Sequence, residues 1–580
     1  RWRAIAAKIL SAIKSNDIIK VDSSASCNPV GFLRLPGSFH RKAQANCKCV
    51  YVDDDLYDFD LLERSLEIES FASQLKKKKT TRALTRTKTF KDGDSDFYPM
   101  IMNYSIDVNS LVEENNVSFF ATPRGGYHPN YGNKEKESIS PWGGDSSYTH
   151  ATINSHFASI KDMGFNALRI TGFTSTDTYN NGKGFHTWSK IDISNSDEGN
   201  KNIINGMVPL LKRIIRMAED NGLRVILLLS AIETQPENQL NFYSKIADAL
   251  KDEKALMAYD FYNEPLYFDK GNYTKSQTKA FVESYNKATK DKAPNHLTTI
   301  GLSHYKIVAE WDPELMDVDF LSFHIYPYGS KNLSILERFE AKLYWISRTI
   351  TKPWIIGETG LSTPDNCDPL NFSCGSYSDQ LYFMSYSLNK ARSAKSSGYS
   401  WWSYQDMDFP PGKIEGTCSV SYFGLVNSNK GKTYLNSKND TILGEMKQEL
   451  SSLPFKDFLN GSPYNNSSWD DLIFPKDVYY NIDYLPSHGT ADGRVLNDKG
   501  MPIENAIITI FNTVSKATYT TFSKPDGTFH LNTGWTNVFS KLDFKIKITA
   551  VKMETVEFPI SKIYKGEGKT FEDVTIGDYK

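Results

Sequence analysis

Eight short apolar runs, most of them followed by a segment of helical period, predict a (β/α)8 TIM barrel over the middle of this 580-residue chain. After Leu485 the texture changes to closely spaced strand-like runs and turns, which predicts a separate all-β sandwich. The expected fold class is therefore α/β, with a C-terminal β-sandwich domain and a small N-terminal α+β fragment.

The eight runs are Pro99–Tyr104, Ala167–Ile170, Arg224–Leu229, Leu256–Tyr262, Leu297–Leu302, Phe320–Ile325, Trp354–Ile356 and Gly398–Trp402. Helical patterns such as Ile203–Asn221, Gln277–Lys290 and Asp379–Ser397 separate most of them. Strand count alone leaves an open doubly wound sheet as the competing arrangement. Long βα insertions account for the size of the region. The sandwich strands are expected at Gly493–Leu496, Ala506–Phe511, Tyr519–Phe522, Thr528–Leu531 and Phe544–Ala550. Turn signals such as Asp498-Lys499-Gly500 and Pro525-Asp526-Gly527 lie between them.

Two breaks divide the chain. Lys76–Lys91 holds eight basic residues and no acidic one, which reads as a solvated linker, and Asn460–Asp483 is rich in Asn, Ser, Pro and Tyr. The expected domains are residues 1–70, a linker at 71–95, the barrel at 96–458, a second linker at 459–484 and the sandwich at 485–580.

Composition excludes several classes. No run approaches the roughly 18–20 apolar residues of a membrane helix, so no membrane span is expected. A net charge of −2 gives no support for a polyanionic partner, and no nucleic acid is expected. Six cysteines are too few for a disulfide scaffold, although Cys367 and Cys374 would close a short loop in an oxidising compartment. Cys27, Cys47 and Cys49 surround His40, but Cys-x-Cys lacks the gap of a zinc site, so no metal is expected. The visible start, at Arg1, shows no leader pattern. Aromatic residues reach 13%, with 32 Tyr and 10 Trp, which suits either sugar rings or cores.

The chemistry falls at two strand exits. Glu264 follows Leu256–Tyr262 in Asn263-Glu264-Pro265, and Glu358 follows Trp354-Ile355-Ile356-Gly357. Cleaving a glycosidic bond with retention needs two carboxyl groups roughly 5–5.5 Å apart, one protonated and one ionised. Barrel active sites gather at the C-terminal ends of strands, where both glutamates are expected.

Asn263-Glu264-Pro265 with the downstream Ile356-Gly357-Glu358 resembles glycoside hydrolase clan A, and family 5, the cellulase and mannanase family, most closely. The likeness covers roughly Phe97 to Leu453. It implies that Glu264 is the acid/base and Glu358 the nucleophile of a retaining hydrolase acting on β-linked glucan or mannan. It further implies substrate-site roles for Arg169, Asn263, His324, Tyr326 and Trp402. Arg169 would hold Glu358 ionised, Asn263 would bond the sugar 2-hydroxyl, Tyr326 would donate to Glu358, and Trp402 would stack under the sugar. His324 would contact substrate or the acid/base.

No cofactor is implied, because two carboxyl groups suffice. A monomer and export (secreted, periplasmic or cell-surface) are expected. A catalytically silent carbohydrate-binding barrel is the alternative, and both glutamates being present argues against it. Many family members carry a histidine after strand three, where this chain has Leu227-Leu228-Leu229-Ser230-Ala231. The insertion Thr122–His150, with Tyr127, His128, Tyr131, Trp142 and Tyr148, forms a subsite wall or packs over the barrel edge.

The last domain, from Gly493-Arg494-Val495 to Phe529, resembles the carboxypeptidase regulatory-like sandwich. Phe32–Lys42 resembles a stretch of replication proteins with a primase–polymerase fold, with Asp22 upstream where those proteins hold a metal. A lone aspartate cannot organise two-metal chemistry, so residues 1–70 are expected to be an inactive fragment.

Overall fold

The computed structural model describes residues 39–40, 45–46, 90–92, 95–113, 116–123, 146–174, 192–229, 236–265, 273–303, 305–327, 335–363, 377–405, 423–426, 489–513, 518–533, 544–560 and 572–579. The chain divides into two compact units, Arg1–Thr85 and Arg86–Lys580. In the first, Phe39–His40 pairs antiparallel with Ala45–Asn46. The rest of the Phe32–Lys42 motif, Asp22, all six cysteines and the stretch Asn460–Asp483 lie outside the described residues.

Among the described residues of the second unit, eight parallel strands form the barrel. They are β1 (Met100–Glu113), β2 (Ala167–Thr174), β3 (Arg224–Leu228), β4 (Leu256–Asn263), β5 (Leu297–Leu302), β6 (Leu321–His324), β7 (Trp354–Glu358) and β8 (Tyr399–Trp401). Each pairs with the next in chain order from β1 to β7, and β8 pairs with β1. The last seam is bridged by backbone bonds, from Ser397 N–H to the Trp354 carbonyl (2.7 Å) and from Ile356 N–H to that of Gly398 (3.1 Å). The sheet thus closes, and the open doubly wound alternative falls away.

The strands form here because both faces of a parallel barrel are covered, so each reads as a near-continuous apolar run. Helices α1 (Ser146–Asp162), α2 (Val208–Asp220), α3 (Pro236–Leu250), α4 (Lys275–Lys290), α5 (Ile335–Thr349) and α6 (Tyr377–Ser393) follow strands around it. Thr274 and Gln277 cap α4 reciprocally, which starts that helix two residues before the expected Gln277. The pattern expected as one helix over Ile203–Asn221 is a π turn, Asn202–Met207, leading into α2. Pro209 has no N–H to continue an α ladder backwards, and Gly206 packs so close to Phe119 that a Cβ would lie 2.2 Å from its ring.

One strand runs well past its expected end. β1 continues nine residues beyond Tyr104 and returns as Asn116–Pro123 in an antiparallel hairpin. Ser105, Asp107 and Asn109 interrupt the apolar run there, yet Ser105, Ile106 and Val108 are all buried, and Ser105 Oγ bonds Thr171 Oγ1 of β2 at 2.8 Å.

A second hairpin, Phe90–Asp92 with Ser95–Phe97, runs from the end of the stretch expected as linker into the start of the expected barrel. Phe90 meets Phe320 edge-on at 5.0 Å and joins Ile101, Ala167, Ile226, Ala258 and Ile355, residues from the N-terminal ends of the strands. It forms the floor of the barrel, opposite the expected active face.

The C-terminal domain has two sheets. In one, β9 (Gly489–Leu496) lies between β12 (Thr528–Thr533) and β15 (Val574–Thr575); in the other the order is β11 (Thr518–Phe522), β10 (Ile507–Asn512), β13 (Phe544–Thr549), β14 (Val556–Pro559). Ile508, Ile510, Phe529, Ile546 and Ile548 lie in the core between them. Ile507 and Phe522 belong instead to the main core of the barrel, so the two domains share apolar interior.

Phe90→Ala is expected to cost about 3–5 kcal/mol, as for other buried Phe deletions, and to lower the urea midpoint, while Lys91→Ala, on an exposed residue, leaves it unchanged. Equal midpoints for the two variants would remove Phe90 from the floor.

Candidate active site

The residues expected to carry chemistry converge at the C-terminal ends of the strands. Arg169 comes from β2, Asn263 ends β4 with Glu264 next, His324 ends β6 with Tyr326 two residues on, Glu358 ends β7, and Trp402 follows β8. They come from five strands of the barrel, and closure alone brings them together.

Arg169 is 1% exposed, and its guanidinium is divided among four partners. Nε donates to Asp260 Oδ2 (2.8 Å), Nη1 to Glu358 Oε1 (2.6 Å) and Asn103 Oδ1 (3.1 Å), and Nη2 to Asn263 Oδ1 (2.8 Å). Arg169, expected to act beside Glu358, thus bonds both Glu358 and Asn263. Glu358 Oε2 accepts from the Tyr326 hydroxyl at 2.9 Å. Asp260 Oδ1 accepts the Gly301 N–H at 3.1 Å, which ties β4 to β5.

Glu264 adopts φ +52°, a left-handed conformation that non-glycine residues seldom hold. Successive residues of a strand point to opposite faces, yet Asn263 reaches Arg169 and Glu264 reaches His324. The break at Glu264 turns both into the site, with its N–H held by the Gly301 carbonyl at 3.0 Å and Pro265 ending the ladder. His324 Nδ1 lies 2.7 Å from Glu264 Oε1 and 3.5 Å from Glu358 Oε2. One oxygen of each carboxylate and one imidazole nitrogen all lie within 4.8 Å of one another. The side chain of Glu264 is 14% exposed, against 6% for Glu358 and none for His324, so Glu264 is the most accessible of the three.

Burial pushes the Glu264 carboxyl up to about 7, opposed in part by Arg169. Burial likewise pushes His324 down to about 4, so the imidazole is neutral near pH 7. Glu358 is also pushed upward by burial, against the downward pull of His324, Arg169 and the Tyr326 hydroxyl. When the two carboxyls share one proton, it resides on Glu264, because Glu358 alone has the direct guanidinium contact. Two carboxylates and an imidazole also suit a divalent cation. The guanidinium 2.6 Å from Glu358 already supplies positive charge there and disfavours one.

Two site residues were not singled out from sequence, Asn103 and Asp260. Besides accepting from Arg169, the Asn103 amide donates to Ser400 Oγ (2.6 Å) and to the carbonyls of Gly357 and Trp401 (both 3.1 Å). A polar side chain inside an apolar run, as in Met-Ile-Met-Asn103 or Tyr-Asp260-Phe, was the available signal. The exit of β3 is described to Leu229. Tyr127, His128, Tyr131 and Trp142 lie outside the described residues, and Tyr148 falls on α1.

Residues 126–408 match the family model Cellulase (glycosyl hydrolase family 5). This stretch is a family 5 glycosyl hydrolase domain. The domain contains every candidate site residue except Asn103, which lies upstream on β1. No curated protein matches the chain. Similar solved structures include an exo-β-1,4-mannosidase from Opitutaceae bacterium strain TAV5, at 17% identity and TM-score 0.41 over 63% of each chain. A GH5_18 structure from Streptomyces cattleya, in complex with GlcNAc, has 13% identity and TM-score 0.40 over 59% of this chain and 82% of that one. A β-glucuronidase from Bacteroides uniformis has 12% identity and TM-score 0.36 over 78% of this chain and 47% of that one. The chain thus spans less than two thirds of the mannosidase and under half of the glucuronidase. Among the described residues no helix is long and apolar enough to cross a membrane.

The raised Glu264 carboxyl gives a signed stability prediction. A native group at about 7 against an unfolded 4.5 binds its proton more tightly in the folded state, so stability falls as pH rises from about 4.5 to about 7. Glu264→Gln removes that loss. It is expected to melt above the parent at pH 8 and close to it at pH 4; the same difference at both pH values would contradict the assignment.

Proposed function

We propose that the chain is a retaining β-glycoside hydrolase acting on a β-linked glucan or mannan, with Glu358 as nucleophile and Glu264 as acid/base. The observation that carries this reading is the spacing of the carboxylates, with an oxygen of each within 4.8 Å. Retention calls for carboxyl groups roughly 5–5.5 Å apart, whereas inversion needs roughly 6.5–9.5 Å to admit a water between them.

In the first step a Glu358 oxygen attacks the anomeric carbon and forms an ester as the glycosidic C–O bond breaks. The proton of Glu264 passes to the departing oxygen, which leaves as an alcohol. In the second, Glu264, now a carboxylate, takes a proton from water. The hydroxide so formed attacks the anomeric carbon and releases Glu358. Burial supports the first role of Glu264, by keeping it protonated to about 7. Arg169 and Tyr326 support the role of Glu358, since each bonds one of its oxygens in the charged form. Asn263, fixed by Arg169, is suited to the 2-hydroxyl of the sugar, and Trp402 to its apolar face.

Reducing-end release from a panel of β-glucans, β-mannans, xylan and xyloglucan tests this reading. The parent is expected to act on a β-glucan or β-mannan, and Glu358→Gln to lose roughly three orders of magnitude or more. A parent silent on the whole panel, or a Gln variant of near-parental rate, would overturn it. On the responsive substrate, kcat/KM is expected to fall as pH rises through about 7, where Glu264 loses its proton. A rate that holds level to pH 9 would remove Glu264 as the acid.

A further inference from the structure

The junction between barrel and sandwich is built like a protein interior. Lys275, the first residue of α4, is 4% exposed. Its ammonium donates to three acceptors, one for each N–H: Asp312 Oδ2 (3.0 Å) and the sandwich carbonyls of Ala550 (2.8 Å) and Met553 (2.6 Å). Asp312 is fully buried and also accepts the Lys552 N–H at 2.8 Å. Lys552 holds φ +62°, so the turn between β13 and β14 is bent into an unusual conformation where it meets this pair. Thr555 Oγ1 adds a bond to the Ala309 carbonyl at 3.0 Å. Nearby, Trp345 of α5 stacks on Phe522 (5.9 Å, 29°) and donates to the Asn505 carbonyl, while Tyr305 meets Phe522 edge-on at 5.1 Å.

Much of this junction falls on one segment, the exit of β5 from Tyr305 to Asp312. The same segment borders the acid/base. The Trp311 ring lies 5.9 Å from that of Tyr262, two residues before Glu264. At the end of β5, the Gly301 carbonyl holds the Glu264 N–H. A left-handed non-glycine residue costs of order 1–3 kcal/mol and persists only when its surroundings over-determine it. At Glu264, part of those surroundings is clamped by the sandwich.

We propose that the C-terminal sandwich is a positioning element for the acid/base: by clamping Tyr305–Asp312 it holds, through Trp311 and Tyr262, the conformation that brings Glu264 to the glycosidic oxygen. This rests on the function proposed above. Removing the clamp acts on proton donation and spares nucleophilic attack by Glu358.

Leaving-group dependence separates the two. A 2,4-dinitrophenyl glycoside departs without a proton, while a methyl glycoside of the same sugar needs one. The full-length parent is compared on both with Lys275→Met, Phe522→Leu and Thr555→Val, each checked for native circular dichroism. The last two are close in volume to the parent residues and carry the test should Lys275→Met fail to fold. In kcat/KM, which reads only the step that forms the glycosyl ester, folded variants are expected to lose about 10-fold or more on the methyl glycoside and less than about 2-fold on the dinitrophenyl one, part of the roughly 10²–10⁴-fold that acid catalysis supplies. Equal losses on both substrates, or none on either, would overturn the inference while leaving the hydrolase reading intact. A parent inactive on both would sink that reading, and the inference with it.

Discussion

Arg169 is buried between two carboxylates, Asp260 and Glu358, and the geometry of the site follows from how a planar cation divides its directed N–H groups between them. Burying a charge costs several kcal/mol, and a buried ion pair is weak evidence of stabilisation. The return lies in direction. The guanidinium fork fixes Glu358, Asn263 and Asn103 at bonding distance in one plane, which a lysine ammonium would not do. Asp260 completes the arrangement by anchoring the guanidinium from behind while bonding the Gly301 amide of the next strand.

Closure of the barrel and construction of the site are thus one event. Asn103 joins β1 to the ends of β7 and β8 across the seam, and the same side chain receives Arg169. The strain at Glu264 is held from β5 on one side and from the aromatic contacts of Tyr262 on the other. The burial that raises the Glu264 carboxyl also keeps His324 neutral, so the contact between them joins a carboxyl group to an uncharged imidazole.

Much of this was legible in the sequence, for physical reasons. Parallel strands buried on both faces read as apolar runs, so Leu297–Leu302 was found with its observed ends, and Leu256–Tyr262 fell one residue short at Asn263. Glu264 and Glu358 stood out because each follows such a run directly. The extension of β1 did not stand out, because Ser105, Asp107 and Asn109 break its apolar run and resemble a loop. Asp260 and Asn103 were passed over, since the partner that makes them tolerable in a strand, Arg169, lies 91 and 66 residues away. The junction of Trp345 with Phe522 was hidden for the same reason, as local periodicity carries no record of which distant surface covers an indole.

The central claim is that Glu358, held by Arg169 and Tyr326, forms a covalent bond to the sugar while Glu264 supplies the proton. The most direct measurement incubates the full-length chain with a 2-deoxy-2-fluoro glycoside bearing a dinitrophenyl leaving group, of the sugar that the parent cleaves. The fluorine slows hydrolysis of the glycosyl ester, so that it accumulates, and peptide mass spectrometry locates the label. The account predicts one added glycosyl group on the peptide containing Glu358, and none in Glu358→Gln. A label on another residue, or turnover with inverted configuration and no label, would contradict it.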